Sequence, residues 1–193
     1  MSRVNAILAF WFGAPRDDKA YYDEWHSRWF TSNPQFDQEV RDRFTEDYQK
    51  AAAQHLAEWR TEPRSGLALV LLLDQFPRNM FRGTPQAFAT DALARETASQ
   101  LIQAGLDRCL LPIERAFVSM PFMHSETLAD QHYSVELFQQ LVNERAYLNF
   151  VTYAIKHLEV IGHFGRFPHR NAILGRPSTP AETEFLTHPG SSF

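Results

Sequence analysis

Cysteine is almost missing from this chain: Cys109 stands alone among 193 residues. One thiol cannot build an intrachain disulfide framework or a multi-cysteine zinc or iron–sulfur centre, so a reducing compartment is the simpler setting. Long apolar runs are also lacking. Ala6 to Phe12 and Leu67 to Leu73 hold seven residues each, far short of the roughly 20 needed to span a bilayer. The opening MSRVNAILAFWFGAPRDDK meets acids at once and has no small-residue cleavage pattern, so it reads as a first helix and not as a leader. Nor is there an excess of basic charge. The formal net charge is −4 with histidine neutral, which leaves no general footprint for nucleic acid. No Gly-rich loop ends in Lys-Ser/Thr, and G-x-G-x-x-G, G-x-S-x-G and His-Glu-x-x-His are absent. The expectation is a cytoplasmic protein with no membrane span, no nucleic-acid partner and no cofactor that the motifs can name.

What the chain does have is aromatic bulk. Sixteen Phe and four Trp, within 44% apolar residues, suit a helical protein whose layers are joined by large side chains. A chain of this length fits one domain, 1–193, burying about 70% of its extended surface. No run alternates with the period of a strand; apolar residues recur every three or four positions. Ser2 caps a helix to about Phe12, ended by Gly13 and Pro15. YYDEWHSRWF is a second amphipathic piece, and Phe36 through Trp59 hold one face over more than six turns. GLALVLLLDQF after Glu62-Pro63 is apolar all round, which marks a central helix. Thr84-Pro85 caps a helix through about Ala104, and Leu110 to Met123, interrupted by Pro112 and Pro121, form a short helix and a turn. Ser125 caps a helix through Val142, and a long one runs from near Arg145 to Phe164. Residues 165–180 read as a loop laid over the body. Thr179-Pro180-Ala181-Glu182 is a capping box that opens a short terminal helix, 180–188. The class is all-α, with seven to nine helices in antiparallel pairs.

One internal echo concentrates the polar residues. QFPRNMFRG, Gln75 to Gly83, is answered by RFPHRNAILGR, Arg166 to Arg176: each has Phe-Pro, a basic residue, Asn, apolar residues and Gly. Proline disfavours helical geometry at the residue before it, so Pro77 and Pro168 are expected to end two helices alike. In the structural reading, Arg78 and Arg170 bridge helix-terminal carbonyls and Asp74 pairs with an arginine of the other segment. In the functional reading, Asp74, Arg78, Asn79 and Arg82 join Arg166, His169, Arg170 and Asn171 around a pocket for an anion, with forked guanidinium donors.

Further candidates lie in PFMHSETLADQH. His124 and Glu126, together with His163 near the end of the late helix, are placed to move protons. The spacing of His124, Glu126, Asp130 and His132 matches no metal signature, so no metal site is assigned. His157 lies six positions before His163, about 600 degrees around a regular helix, and reads as an ordinary core histidine. Cys109, in DRCLLP without an adjacent His or Cys, reads as a buried hydrophobe.

The blocks ILAFWFG, WHSRWF, LLLDQFPRNMFRGTPQAFATDALA, LPIERAFVSMPFMHSE, and the late run of His157, Ile161 and Phe164 to Arg176 together resemble the bacterial domain of unknown function 924 family, over nearly the whole chain. The resemblance implies a tetratricopeptide-like arrangement of paired helices, here without that family's regular 34-residue repeat. It implies no established reaction. The residues themselves favour a binding or scaffold protein with a basic, aromatic-floored pocket for a small anionic ligand or an acidic peptide. The alternative is a hydrolase on an anionic substrate, with His/Glu proton transfer and Arg stabilising charge. Composition does not decide the oligomeric state.

Overall fold

The computed structural model of the protein describes residues 2–16, 19–141 and 148–192, and among these the backbone forms helices and turns with no strand. Helix α1 (Arg3–Phe12) begins where Ser2 accepts the Asn5 amide, and ends at Gly13 with φ 61°. A Cβ at Gly13 would lie 2.6 Å from the Trp25 ring. Helix α2 (Lys19–Phe30) folds back over α1: Trp29 Nε1 donates to the Trp11 carbonyl at 2.9 Å and the Tyr21 hydroxyl to that of Phe12 at 2.6 Å. Two carbonyls left open at the end of α1 are thereby satisfied.

Asn33 caps α3 (Pro34–Ala52), whose inner face is Phe36, Val40, Phe44, Tyr48 and Ala51. The helix stops well short of the expected Trp59. Gln54 takes φ 59° and a 3₁₀ turn, Ala57–Thr61, follows, so the apolar spacing continued beyond the point where the backbone turned.

The apolar-all-round segment is the central helix it promised to be. Helix α4 (Pro63–Val70), a π turn (Leu71–Gln75) and α5 (Phe76–Met80) run on without a break, and Gly66 to Pro77 are buried throughout. Pro77 does not end it, contrary to expectation: Phe76 keeps φ −61°, ψ −39° and its N–H bonds back to the Leu71 carbonyl. Proline has no N–H for the Leu73 carbonyl, and the Thr90 hydroxyl donates to that oxygen instead, at 2.6 Å.

The helix expected from Thr84 is divided into a 3₁₀ turn, Pro85–Phe88, and α6 (Asp91–Gln103). Left-handed Gly105 then opens a 3₁₀ turn, Leu106–Cys109, that buries Asp107 and leaves Cys109 exposed, correcting the buried reading of the thiol. Helix α7 (Pro112–Met123) carries Pro121 inside it, where a break was expected. Helix α8 (Leu128–Gln139) starts after Thr127, later than expected; the Ser125 hydroxyl accepts the Thr127 amide and donates to Asp130. The expected helix end at Val142 and the start near Arg145 lie outside the described residues. Helix α9 (Leu148–Phe164) is followed by a 3₁₀ turn, Pro168–Arg170, and by α10 (Pro180–Phe185), which opens on the Thr179–Glu182 capping box.

Trp11, Phe12, Phe44, Phe76, Phe117 and Phe138 are fully buried in one large core. Phe117 meets Phe12, Trp29 and Trp11 with centroids 5.3, 5.0 and 5.7 Å away, edge-on in each case. Each such pair contributes about 0.5–1.5 kcal/mol beyond area burial. Val160, Ile161 and Phe167 make a second small cluster that takes up Phe164 and Phe185 and so anchors α10. The packing of α4 on α6 and of α7 on α8 and α9 brings the π turn, the end of α7 and the late 3₁₀ turn together.

Candidate functional site: a buried Asp–His–Arg centre

Asp74 stands in the π turn and is fully buried. Its carboxylate accepts from Gln75 Nε2 at 2.6 Å and meets His124 Nδ1, at the end of α7, at 2.8 Å. Arg78, one turn on, lies 3.3 Å from the same carboxylate and donates to the Asp74 carbonyl at 2.6 Å. The far side of Arg78 is forked onto Asp91 at the start of α6, at 2.8 and 3.0 Å.

The late turn closes over this group. Arg170 lies 3.7 Å from the Asp91 carboxylate and packs against the rings of Phe88 and Phe167, 4.6 and 4.5 Å from their centroids. His157 donates Nδ1–H to the Tyr153 carbonyl at 2.7 Å, with its ring 6.4 Å from His124 and 5.4 Å from Phe167. His169 lies tilted against Phe167, with ring centroids 5.6 Å apart. The centre reaches solvent through a narrow rim: Arg78, Asp91, His124 and Arg170 side chains keep 20, 14, 13 and 8% of their area exposed.

Burial opposes ionisation of Asp74, but the charge interactions with His124 and Arg78 and the hydrogen bonds from His124 and Gln75 hold it well below the usual carboxylate range. Burial acts the other way on the imidazoles. It lowers His124, helped by Arg78 and opposed by Asp74. Burial, with His124 and Arg170 nearby, pulls His157 down to about 3, and burial with Arg170 pulls His169 down to about 4. Burial and the charge of Arg78 bring Arg170 down to about 10, against the pull of Asp91. The centre therefore favours an ionised Asp74 and pushes its three imidazoles toward the neutral form. Ionised Asp74 can only accept, so His124 Nδ1 carries the hydrogen and Nε2 keeps its lone pair.

The remaining residues singled out from the sequence are engaged around this centre. Asn79 donates to Asp37 at 2.8 Å, and Arg82 forks onto the same carboxylate at 2.7 and 2.9 Å. Glu126 accepts the Phe167 amide at 2.8 Å and a fork from Arg176 at 2.7 and 3.0 Å. Asn171 accepts from Arg176 and donates to Ser178. Arg166 forks onto Glu182 in α10. His163 is on another part of the surface, edge-on to Phe164, lining an open cavity of about 410 Å³ with Glu159, Glu184 and Phe185. Among the described residues, no three His, Cys, Asp or Glu side chains are grouped to hold a metal.

Asp91, Phe88, Asp37, Glu182 and Arg176 are the partners that sequence reasoning did not single out. Asp91 and Phe88 lie inside the quoted LLLDQFPRNMFRGTPQAFATDALA block and Arg176 ends the late one, so the blocks themselves were the available signal. Asp37 carried none beyond that of an acid in a first helical turn.

No curated protein matches the chain. A solved structure, that of the protein of unknown function ATU0120 from Agrobacterium tumefaciens, is 38% identical, with a TM-score of 0.83 over 95% of this chain and 96% of that one. Residues 7–190 match the family model described as bacterial protein of unknown function, DUF924. With that span matched, the chain belongs to the bacterial DUF924 family.

Proposed function

We propose that the protein binds a small carboxylate- or phosphate-bearing ligand at the edge of the Arg170 guanidinium, beside His124, His157 and His169. The observation that carries this reading is Arg170 Nε–H, which is buried and has no hydrogen-bond acceptor among the described residues. A stranded buried donor costs about 1–3 kcal/mol, and more when it is charged. The Phe88 and Phe167 rings pack 4.6 and 4.5 Å from the guanidinium carbon, and the guanidinium edge is the side that a carboxylate or phosphate meets with a forked pair of oxygens. A free acid or an acidic peptide terminus supplies the same oxygens. Asp74, Arg78, Asn79, Arg82, Arg166 and Asn171 hold the walls through the contacts above. In this reading the setting is cytoplasmic, and the helix pairs form a stiff frame of the tetratricopeptide-like kind.

Titration calorimetry with acetate, benzoate and inorganic phosphate tests the reading. Saturable binding is expected with at least one of them. Arg170→Met should weaken it by about tenfold or more, the loss of a charge-assisted fork. Silence from all three probes, or unchanged affinity in the variant, overturns the proposal.

The Asp74–His124 contact favours hydrolysis as the second reading. His124 Nε2 would take a proton from water as its oxygen attacks the acyl or phosphoryl centre, then pass that proton to the departing oxygen, with Arg170 stabilising the charge that develops. Turnover of activated esters or phosphate monoesters that disappears in His124→Gln supports it; turnover that survives the change sinks it.

A further inference from the structure

We infer that the site takes up its anion together with a proton, so that binding converts His124 from a neutral acceptor into an imidazolium that donates. The inference rests on the anion-binding reading and concerns how that same site is regulated. Its basis is charge balance in an enclosed space. Asp74 and Asp91 offset Arg78 and Arg170 within the centre, and the next carboxylate, Glu126, is already matched by Arg176. An arriving monoanion therefore leaves one negative charge uncompensated among buried groups, where such a charge is costly. A proton from solvent removes the imbalance.

Three imidazoles lie within the centre, and their surroundings distinguish them. His124 has a carboxylate oxygen at hydrogen-bond distance, 2.8 Å, ready to support an imidazolium, whereas His157 donates its Nδ1 hydrogen to a neutral carbonyl. His169 has Arg170 beside it, a cation that opposes a further positive charge and outweighs the opposite pull of Glu126. The groups that face His124 come from every neighbouring element: Asp74 and Arg78 from the π turn and α5, Asp91 from α6, His157 from α9, and His169 and Arg170 from the late turn. On α8, Asp130 is engaged by Ser125 and Arg95. His124 also retains part of the exposed rim, so a proton has a path to it.

In the unliganded state burial and Arg78 keep His124 neutral. Anion binding adds the charge that reverses the preference, and the Nε2 lone pair becomes a second N–H available to the bound oxygen. Linkage makes the effect reciprocal: acidification tightens binding, and alkaline pH loosens it.

The experiment is acetate titration of the intact protein near pH 6.5 in two buffers, one with a small and one with a large heat of ionisation, followed by Kd measurements from near pH 5.5 to near pH 8. Buffer-dependent heats equivalent to the uptake of about one proton are expected. Kd should weaken by up to about tenfold per pH unit on the alkaline side. His124→Gln should bind with equal heats in both buffers and a flat pH profile. If that variant does not fold, the histidine Cε1–H resonances of the unaltered protein give the same reading, with one imidazole moving to its protonated position when acetate saturates the site. Binding with equal heats in the unaltered protein overturns the inference and leaves the anion site standing. Proton uptake that persists in a folded His124→Gln also overturns it. No binding by acetate, benzoate or phosphate at any pH removes the anion reading itself.

Discussion

Arg78 and Arg170 share one carboxylate, Asp91, yet their losses should be felt differently. Arg78 is forked onto Asp91 and also bonds the Asp74 carbonyl, so Arg78→Met strands Asp74 and Asp91 in a low-dielectric centre. Breaking a buried pair in this way costs about 3–5 kcal/mol, which equilibrium urea unfolding will read as a lowered midpoint with an unchanged slope. Among the described residues the ion pair of Arg170 with Asp91 is the longer one, at 3.7 Å, and a methionine can keep the packing against Phe88 and Phe167. Arg170→Met should therefore cost less than half as much in the same experiment; equal losses would place Arg170 in the same supporting role as Arg78. At this scale the residue types of the centre were legible in the sequence, because Asp, Arg and Asn beside Phe-Pro are unusual company for an apolar run. Their pairings were not. Asp74 was expected to meet an arginine of the late segment, and its carboxylate is hydrogen-bonded to Gln75 and His124 instead.

The π turn is the element that sets the centre. A regular helix through Pro77 would leave the Leu73 carbonyl without a donor; the wider turn aims that oxygen at Thr90 and carries Asp74 toward His124. Thr90→Val keeps the shape and removes the hydroxyl, so it should destabilise the protein by about 1–3 kcal/mol, the cost of an orphaned buried acceptor. Pro77→Ala restores an N–H at the required position. In that background the same Thr90 change should cost measurably less, and a double-mutant cycle by thermal unfolding will show a coupling between the two residues. Additive losses would mean that Thr90 acts independently of the proline. Sequence reasoning expected a helix end here because the usual preference of the residue before proline was applied to Phe76. Burial on all sides of the segment outweighed that preference.

For the whole molecule, the buried imidazoles fix the direction of the acid response. His157 and His169 are held at about 3 and about 4 in the folded protein, against an ordinary value near 6.5 when unfolded. As pH falls through that ordinary value the unfolded chain binds protons that the folded chain refuses. Stability is therefore full above about pH 7 and declines below it, by about 1.4 kcal/mol per pH unit for each fully shifted group, until the folded values are reached. Asp74 and Asp37, held low in the folded state by their cationic and amide partners, extend the loss in the same direction at still lower pH. Urea unfolding at a series of pH values between about 4 and 8 checks this; a midpoint that stays level down to about pH 5 would show that the imidazoles charge without cost. Binding of acetate should reduce the slope near pH 6, since the bound state accepts a proton.

Helix class, the central buried segment and the caps at Ser2 and Thr179 followed from the sequence alone, since apolar spacing and local hydrogen bonding depend on neighbours a few residues away. Where α3 stops, how the backbone passes Pro77 and which side of its turn exposes Cys109 depended on packing. So did the centre itself. Asp74, Asp91, His124 and Arg170 are far apart along the chain, and they meet because the aromatic core sets how α4, α6, α7 and α9 pack, a many-body outcome that no local pattern encodes.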